Sequence, residues 1–286
     1  MKRPVILLTG AAGQLGFELA RLLPAHGELT AFDRAALDLT DVDALSAAVR
    51  QVKPQIIVNA AGYTAVDRAE REPALAEAIN ARAPGILAEE AKRLDALLVH
   101  YSTDYVFDGA SAAPYGEAAA PNPLNVYGRT KLAGERAIAA AGAAHLILRT
   151  SWVYGLRGQN FLLTMRRLAL EHDELRVVAD QFGVPNWSRV VAQATTAVLG
   201  RGARALAQDT GVYHLSGRGR ASWFDFARAI FGDAARPRVL PITTVQYPTA
   251  ARRPASAVLA TAKFEETFGF ALPEWRDMLA ACKAAA

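Results

Sequence analysis

Val5-Ile6-Leu7-Leu8-Thr9 runs directly into Gly10-Ala11-Ala12-Gly13-Gln14-Leu15-Gly16. An unbroken apolar run ended by glycine reads as a strand buried on both faces, and such a strand needs a layer packed on each side. The residues from Gly13 to Leu23 read as a helix that stops before Pro24. The turn has glycine at every third position. Gly10 permits the tight turn, Gly13 lets the backbone approach a pyrophosphate, and Gly16 allows close helix–strand packing. The helix N-terminus adds free N–H groups and the positive end of the dipole.

The same strand–helix rhythm continues. Leu29–Phe32, Gln55–Asn59, Ala96–Tyr101 and His145–Arg149 read as strands. Val42–Val52, Pro73–Arg93 (adjusted at Pro84) and Tyr127–Ala141 (stopped by Gly142) read as helices. Alternation of this kind predicts an α/β fold, a doubly wound parallel sheet of Rossmann type with right-handed crossovers. The second half is less regular. It has helices over Phe161–His172, Val190–Leu199, Phe224–Phe231 and Glu274–Lys283, strands over Leu175–Val178 and Val212–Leu215, and a Pro- and Thr-rich loop from Pro241 to Pro254. The expected organisation is a dinucleotide-binding Rossmann domain over 1–150. Residues 151–286 are expected to form mainly a smaller α/β substrate-binding lobe, with some segments returning to the sheet.

Composition excludes several classes. Of 286 residues, 52% are apolar and 21% charged, which is a globular and not a disordered balance. The net charge of +4 is spread along the chain without a basic block, so neither nucleic acid nor a lipid surface is an expected partner. Cys282 is the only cysteine, no apolar run approaches bilayer length, and the N-terminus enters a strand without signal-peptide architecture. A cytoplasmic location is therefore expected. His26, His100, His145, His172 and His214 are scattered without ligand spacing, so no metal is expected and these histidines read as surface or core residues.

Two short segments point to chemistry. Tyr127 and Lys131 are four apart on a helix and so share a face. A free phenol titrates near pH ~10, and a cation one turn away favours the phenolate and lowers that value. Tyr127 can then give a proton to a carbonyl oxygen as hydride arrives, while Lys131 holds a nicotinamide ribose. Thr103, ending the fourth strand, can donate a hydrogen bond to the same oxygen. Asp33 ends the second strand where an acidic residue binds ribose hydroxyls and favours NADH, whereas Arg34 suits the extra phosphate of NADPH. Both cofactors stay open. Asp38 and Leu39 are expected to flank the adenine. Ala60, Ala61 and Gly62, small residues closing the third strand, leave room for the nicotinamide ribose.

Longer strings carry a resemblance. They are Asn59-Ala60-Ala61-Gly62-Tyr63-Thr64-Ala65-Val66-Asp67, His100-Tyr101-Ser102-Thr103-Asp104-Tyr105-Val106-Phe107, Pro123-Leu124-Asn125-Val126-Tyr127-Gly128, Arg149-Thr150-Ser151-Trp152-Val153-Tyr154 and Tyr247-Pro248-Thr249. On these the chain resembles the extended short-chain dehydrogenase/reductase family, over nearly its whole length. Within that family it looks like the enzymes that reduce a dTDP-linked keto-sugar with NADPH or NADH on the way to surface polysaccharide. The resemblance implies a catalytic set of Thr103, Tyr127 and Lys131. It implies cofactor contacts from Gly13, Gln14, Leu15, Asp38, Leu39, Gly62, Tyr63, Thr64 and Tyr101. It places Val66, Thr103, Asp104, Tyr105 and Trp152 near the sugar, and Arg253 on the diphosphate as a bidentate donor.

The related nucleotide-sugar dehydratases carry Thr-Asp-Glu where this chain has Thr103-Asp104-Tyr105. Tyr105 cannot replace that carboxylate, so carbonyl reduction is favoured over dehydration. Some relatives dimerise through a metal held by glutamates. The segment Asn186-Trp187-Ser188-Arg189 lacks the acid, and monomer and homodimer both remain open. In Arg253-Pro254-Ala255-Ser256-Ala257, Ala257 stands where a serine is common. The competing readings are a 4-epimerase or another keto-sugar reductase, and a non-catalytic subunit like the regulatory partner of methionine adenosyltransferase. The intact Thr103, Tyr127 and Lys131 weigh against the latter.

Overall fold

The computed structural model describes residues 3–232 and 236–286. The first half builds β1 (Val5–Thr9), α1 (Gln14–Leu22), β2 (Glu28–Phe32), α2 (Val42–Val52), β3 (Ile56–Asn59), α3 (Val66–Ala69), α4 (Pro73–Glu77), α5 (Ala83–Arg93), β4 (Leu97–Thr103), α6 (Val126–Ala141) and β5 (His145–Thr150). The second half adds β6 (Val153–Tyr154), α7 (Phe161–Glu171), β7 (Glu174–Val178), β8 (Phe182–Gly183), β9 (Asn186–Trp187), α8 (Ser188–Leu199), α9 (Ala203–Leu206) and β10 (Gly211–His214). It closes with β11 (Ala221–Ser222), α10 (Trp223–Phe231), β12 (Arg238–Ile242), α11 (Ala262–Phe268) and α12 (Trp275–Ala284).

Six strands form one parallel sheet in the order β10-β5-β4-β3-β1-β2. Its two faces are read directly from alternate residues. Ile6, Leu8, Ile56, Val58, Leu97, Val99, Leu146 and Leu148 pack with α1 and with Val191, Ala194 and Val198 of α8. Leu7, Ile57, Leu98 and Ile147 face Leu45 and Val49 of α2, Leu87 of α5 and Ile138 of α6. The chain leaves β1 for β2 on one side and later returns for β3 on the other. This reversal opens a crevice at the carboxyl ends of β1 and β3, where doubly wound sheets take ligands. Residues 188–199 and 211–214 come back from the second half to cover one face and to add the sixth strand. A separate apolar cluster, with Tyr154, Leu162, Phe226, Trp275 and Met278 at its centre, is built wholly from residues 154–282.

Local chemistry explains most element ends. Asp41 caps α2 and Asn125 caps α6 through side-chain bonds to backbone N–H groups, and Gly142 (φ 68°) ends α6 in the left-handed region. Two expectations need correction. The stretch Pro73–Arg93 is not one α-helix: residues Ala78–Arg82 widen into a π-turn between α4 and α5. Pro84 has no N–H to give the Asn80 carbonyl, and that carbonyl is pressed against Gly134 of α6, where a Cβ would lie 2.1 Å away. The supposed loop from Pro241 also begins inside a strand. Pro241 lies in β12, which among the described residues pairs with β7 alone, and an edge position tolerates the missing donor.

Candidate active site

The sheet register brings the expected residues to one edge. Thr9 pairs with Asn59, Asn59 with His100, and Thr103 with Thr150, so the glycine turn, the 59–62 segment and the 102–105 segment all emerge at the carboxyl ends of the central strands. The backbone of Gly10 (φ +74°) is packed against Ala60 and Ala61, and an added Cβ would lie 2.6 Å from Ala61 N. At Gly16 a Cβ would meet the Gly10 carbonyl at 2.0 Å. At exposed Gly13 the nearest atom would be 3.2 Å away. The turn is therefore closed on its packing side and open at Gly13. Helix α1 starts there without a side-chain cap and without an acid in its first turn. Free N–H groups facing an open glycine suit an anionic pyrophosphate.

The other cofactor candidates divide. Asp33 is half-buried and accepts the Ala36 N–H at 2.9 Å, while Arg34 is exposed beside it. Asp38 is exposed and its carboxylate, bonded by Thr40 N and Oγ1 at 2.9 Å, is held below the usual range. Ala60, Ala61, Gly62 and Thr64 are at least partly open. Three side chains point elsewhere than expected. Leu39 is buried in the core beside α2. Tyr101 donates its hydroxyl to Thr195 Oγ1 of α8 at 2.7 Å. Tyr63 donates to Glu72 Oε2 at 2.5 Å. Leu15 packs against the core under α1, and the Gln14 amide accepts from Asn160, which caps α7. The Leu39 side chain is thus committed to the core, and the Tyr63 and Tyr101 hydroxyls to Glu72 and Thr195.

Tyr127 and Lys131 lie on the first turns of α6. Gly128 lets that helix press onto the Tyr105 carbonyl, which an added Cβ would approach to 2.2 Å. The Tyr127 ring meets Tyr105 edge-on at 5.6 Å. Burial pushes the Tyr127 phenol up to about 12; a bond to Thr103 pulls the other way, and the Asp104 charge adds to the rise. The expected lowering by Lys131 is not seen. The Lys131 amino nitrogen is turned away from the phenol, 3.0 Å from His100 Nε2 and bonded to the Tyr101 carbonyl. Burial pushes Lys131 down to about 8, opposed by the charge of Glu135.

Thr103 Oγ1 donates to Asp104 Oδ1 at 3.0 Å and accepts from Tyr105 N at 3.1 Å. Ser151 Oγ donates to Asp104 Oδ2 at 2.8 Å. Burial outweighs these bonds and raises the Asp104 carboxyl to about 7. Trp152 adopts φ +41°, uncommon for a bulky side chain. Its indole stacks on Trp223 at 3.5 Å and 4°, so one face is already taken, and its edge lies where any Cβ on Gly183 would stand, 2.5 Å from Cε2. Val66 opens α3. Arg253 is drawn into a bidentate pair with Asp67, at 2.6 and 3.1 Å, and Asp67 also takes the Ala251 N–H at 3.0 Å. The late loop is thereby fastened to α3. Among the described residues no group of three or more His, Cys, Asp or Glu stands ready to hold a metal.

Several contributors escaped the sequence reading. Asn59 reads only as a strand end and His100 as a surface or core histidine, Ser151 and Asp67 are parts of a string without a role, and Trp223 falls just outside the helix read from Phe224. His100 did carry a signal, since a histidine inside Leu-Leu-Val-His-Tyr must find buried partners.

The RmlD substrate binding domain model matches residues 3–286. The chain is 46% identical to a dTDP-4-dehydrorhamnose reductase of Burkholderia thailandensis, covering 97% of each protein. It is 44% identical to one of Escherichia coli K12, covering 95% of this chain and 94% of the other. A dTDP-4-dehydrorhamnose reductase of Bacillus anthracis, crystallised with NADP, superimposes with a TM-score of 0.92 at 36% identity and covers the whole of both chains. With the parallel sheet, the open glycine turn and the Tyr127–Lys131 helix at one edge, these matches place the chain in the RmlD family, that of the dTDP-4-dehydrorhamnose reductases.

Proposed function

We propose that this protein reduces the 4-keto group of dTDP-4-dehydro-6-deoxy-L-mannose (dTDP-4-dehydrorhamnose) with NADPH or NADH, giving dTDP-L-rhamnose for surface polysaccharide. The observation that carries the reading is 44–46% identity over nearly the whole length to reductases of that name, supported by Thr103 lying at the sheet edge that carries the glycine turn and by Tyr127 and Lys131 sharing α6. When bound, the reduced nicotinamide supplies the hydride. Residues 1–150 are read as the nucleotide-holding part. Gly10, Gly13 and Gly16 with the α1 N-terminus take the pyrophosphate. Asp33, Arg34 and the main chain around Asp38 and Leu39 take the adenosine end. Residues 60–64 border the nicotinamide ribose. Residues 151–286 are read mainly as the substrate side, with Trp152 and Arg253 at its lip beside Val66, Asp104 and Tyr105.

In this reading Thr103 donates a hydrogen bond to the keto oxygen and Tyr127 delivers the proton. A neutral phenol is the correct starting form, since reduction of a ketone consumes a proton, and its high pKa keeps that form present at neutral pH. Lys131 binds the ribose and supports the phenolate left behind. No helix of the described residues is long and apolar enough to cross a membrane, which is compatible with work in the cytoplasm.

The test is NADPH oxidation followed by absorbance when the protein meets dTDP-4-dehydrorhamnose, repeated with NADH. Tyr127→Phe should lower turnover by about 10²–10⁴-fold while leaving cofactor affinity within about twofold, because only the transferable proton is lost. Near-normal turnover in that variant sinks the mechanism. Absence of oxidation with either cofactor sinks the substrate.

A further inference from the structure

One polar row crosses the sheet where neighbouring rows are apolar. Thr9, Asn59 and His100 are register partners on three adjacent strands, and all three are buried. Thr9 Oγ1 donates to Asn59 Oδ1 at 2.7 Å. Ala61 N donates to the same oxygen at 3.2 Å. A backbone N–H can only donate, so this contact fixes which end of the Asn59 amide is oxygen. The other end, Nδ2, faces His100 Nδ1 at 3.0 Å and must donate to it. His100 Nδ1 is therefore a bare acceptor. A neutral imidazole has one acceptor and one donor, so the proton sits on Nε2. That N–H points at Lys131 Nζ, 3.0 Å away. An ammonium has three donors and no lone pair, so it cannot accept it. Only a neutral amine satisfies the row, accepting from His100 and donating to the Tyr101 carbonyl.

We infer that His100 is a positioning residue that, with its tautomer set by Asn59, holds Lys131 in the ligand-free protein as a neutral amine and hydrogen-bond acceptor from about pH 8 upward. The inference rests on the reductase reading only in taking Lys131 as the ribose-holding residue. Other charges around Lys131 do not replace this control. On its own helix, Glu135 lies one turn on and is committed to Arg149 of β5, and Tyr127 lies one turn back. From β4 come His100 and the Tyr101 main chain. From the turn after β4, Asp104 and Tyr105 face Tyr127. The segments α3 and α4 present Glu70, which is bonded to Val126 N, and the π-turn presents the uncharged Asn80. Protonating Lys131 requires His100 to move its proton to Nδ1 and Asn59 to turn its amide over. That turn releases the Ala61 N–H at the mouth of the crevice. Proton uptake at the lysine is thus tied to a backbone donor in the segment read as bordering the ribose.

The first measurement needs no variant and no substrate. In protein carrying ¹⁵N-histidine, the ring nitrogens of His100 should report a neutral Nε2–H form at about pH 8 and above. His214 is an internal reference of opposite tautomer, because its Nδ1 faces the Ala260 carbonyl at 3.0 Å and its Nε2 faces the Arg149 guanidinium. An Nδ1–H or doubly protonated His100 overturns the inference. The second is the pH dependence of NADPH affinity, read by fluorescence. His100→Gln offers the ammonium an acceptor oxygen, so the alkaline loss of affinity should move up by about one pH unit. His100→Phe, which offers none, should not move it upward. If both variants weaken binding equally at every pH, His100 is mere packing and the inference falls. Neither readout uses sugar turnover, so failure of the substrate reading and failure of this inference are separable.

Discussion

Two buried basic residues lie against the same helix, Arg149 reaching α6 from β5 through Glu135 and Lys131 standing on α6 one turn before Glu135, and the fold treats them in opposite ways. Arg149 forms a bidentate pair with Glu135, lies over the Phe107 ring at 5.1 Å, and gives its remaining reach to His214. Lys131, equally buried, has among the described residues only neutral hydrogen-bond partners, His100 and a carbonyl. Every polar partner of Arg149 accepts a hydrogen bond from it, and Glu135 also cancels its charge. The Lys131 site lacks a bonded counter-charge and can change protonation. Burial with a full set of partners builds the frame, while burial without a counter-ion leaves a group poised to titrate.

The largest expected effect breaks the framed site. Glu135→Gln strands the Arg149 guanidinium in the interior and should cost about 3–5 kcal/mol in urea unfolding, whereas replacing both partners with apolar residues should recover much of it. Lys131→Met should do the reverse. Stability at neutral pH should hold or rise, while NADPH oxidation falls at least about a hundredfold. Equal stability losses in the two single variants would erase the distinction between them.

The same contrast has a pH signature. Lys131 is lowered from its ordinary 10.5 to about 8, so between those values the unfolded chain binds the extra proton. Stability then rises with pH across this window, and the contribution present above 10.5 is lost as pH falls through about 8. The unfolding free energy of the wild type minus that of Lys131→Met should climb by a few kcal/mol over that window. A flat difference would mean that the lysine is solvated in the native state.

A smaller effect concerns how the phenol is placed. Gly128→Ala puts a methyl within 2.2 Å of the Tyr105 carbonyl and must lift the start of α6. The expected cost is about 1–3 kcal/mol, with turnover falling on the order of tenfold or more because Tyr127 moves with the helix. Unchanged kcat would show that the helix start relaxes without moving the phenol.

Much of this was legible in the chain. The strand–glycine–helix start, the alternating elements and the Tyr127–Lys131 spacing are local patterns, and local patterns survive in sequence. The Ala78–Arg82 π-turn did not, because it depends on Gly134 lying against Asn80, fifty-four positions away. Strand β12 was hidden by Pro241, tolerated only because its sheet has two strands. In the site, residue types were readable and directions were not. Whether Tyr101 faces the cleft or Thr195, and whether Arg253 waits free or on Asp67, is decided by tertiary partners. The reversed shift of Tyr127 has the same origin, since helical spacing predicts proximity to Lys131 but not that His100 and the Tyr101 carbonyl take the lysine first.

Asp104 is the acidic counterpart of Lys131 and gives the mildest test of the comparison. It is buried, its oxygens accept from the Thr103 and Ser151 hydroxyls and from the backbone of residues 104 and 105, and among the described residues no cation bonds it. Its carboxyl is raised from 3.8 to about 7, so the native state binds the extra proton between those values and the stability it contributes at low pH is lost as pH rises through about 7. The ionised form also holds the Thr103 hydroxyl and raises the Tyr127 phenol. Below pH 7 the neutral acid, a weaker acceptor than the carboxylate, holds Thr103 less firmly, and the hydroxyl can then donate to a keto oxygen. NADPH oxidation at low sugar concentration should therefore fall severalfold as pH rises through about 7. Asp104→Asn, which keeps an acceptor for Thr103 but cannot ionise, should flatten that limb while retaining measurable turnover. A limb that persists in Asp104→Asn belongs to another group, and the parallel between the two buried charges would then end at Lys131.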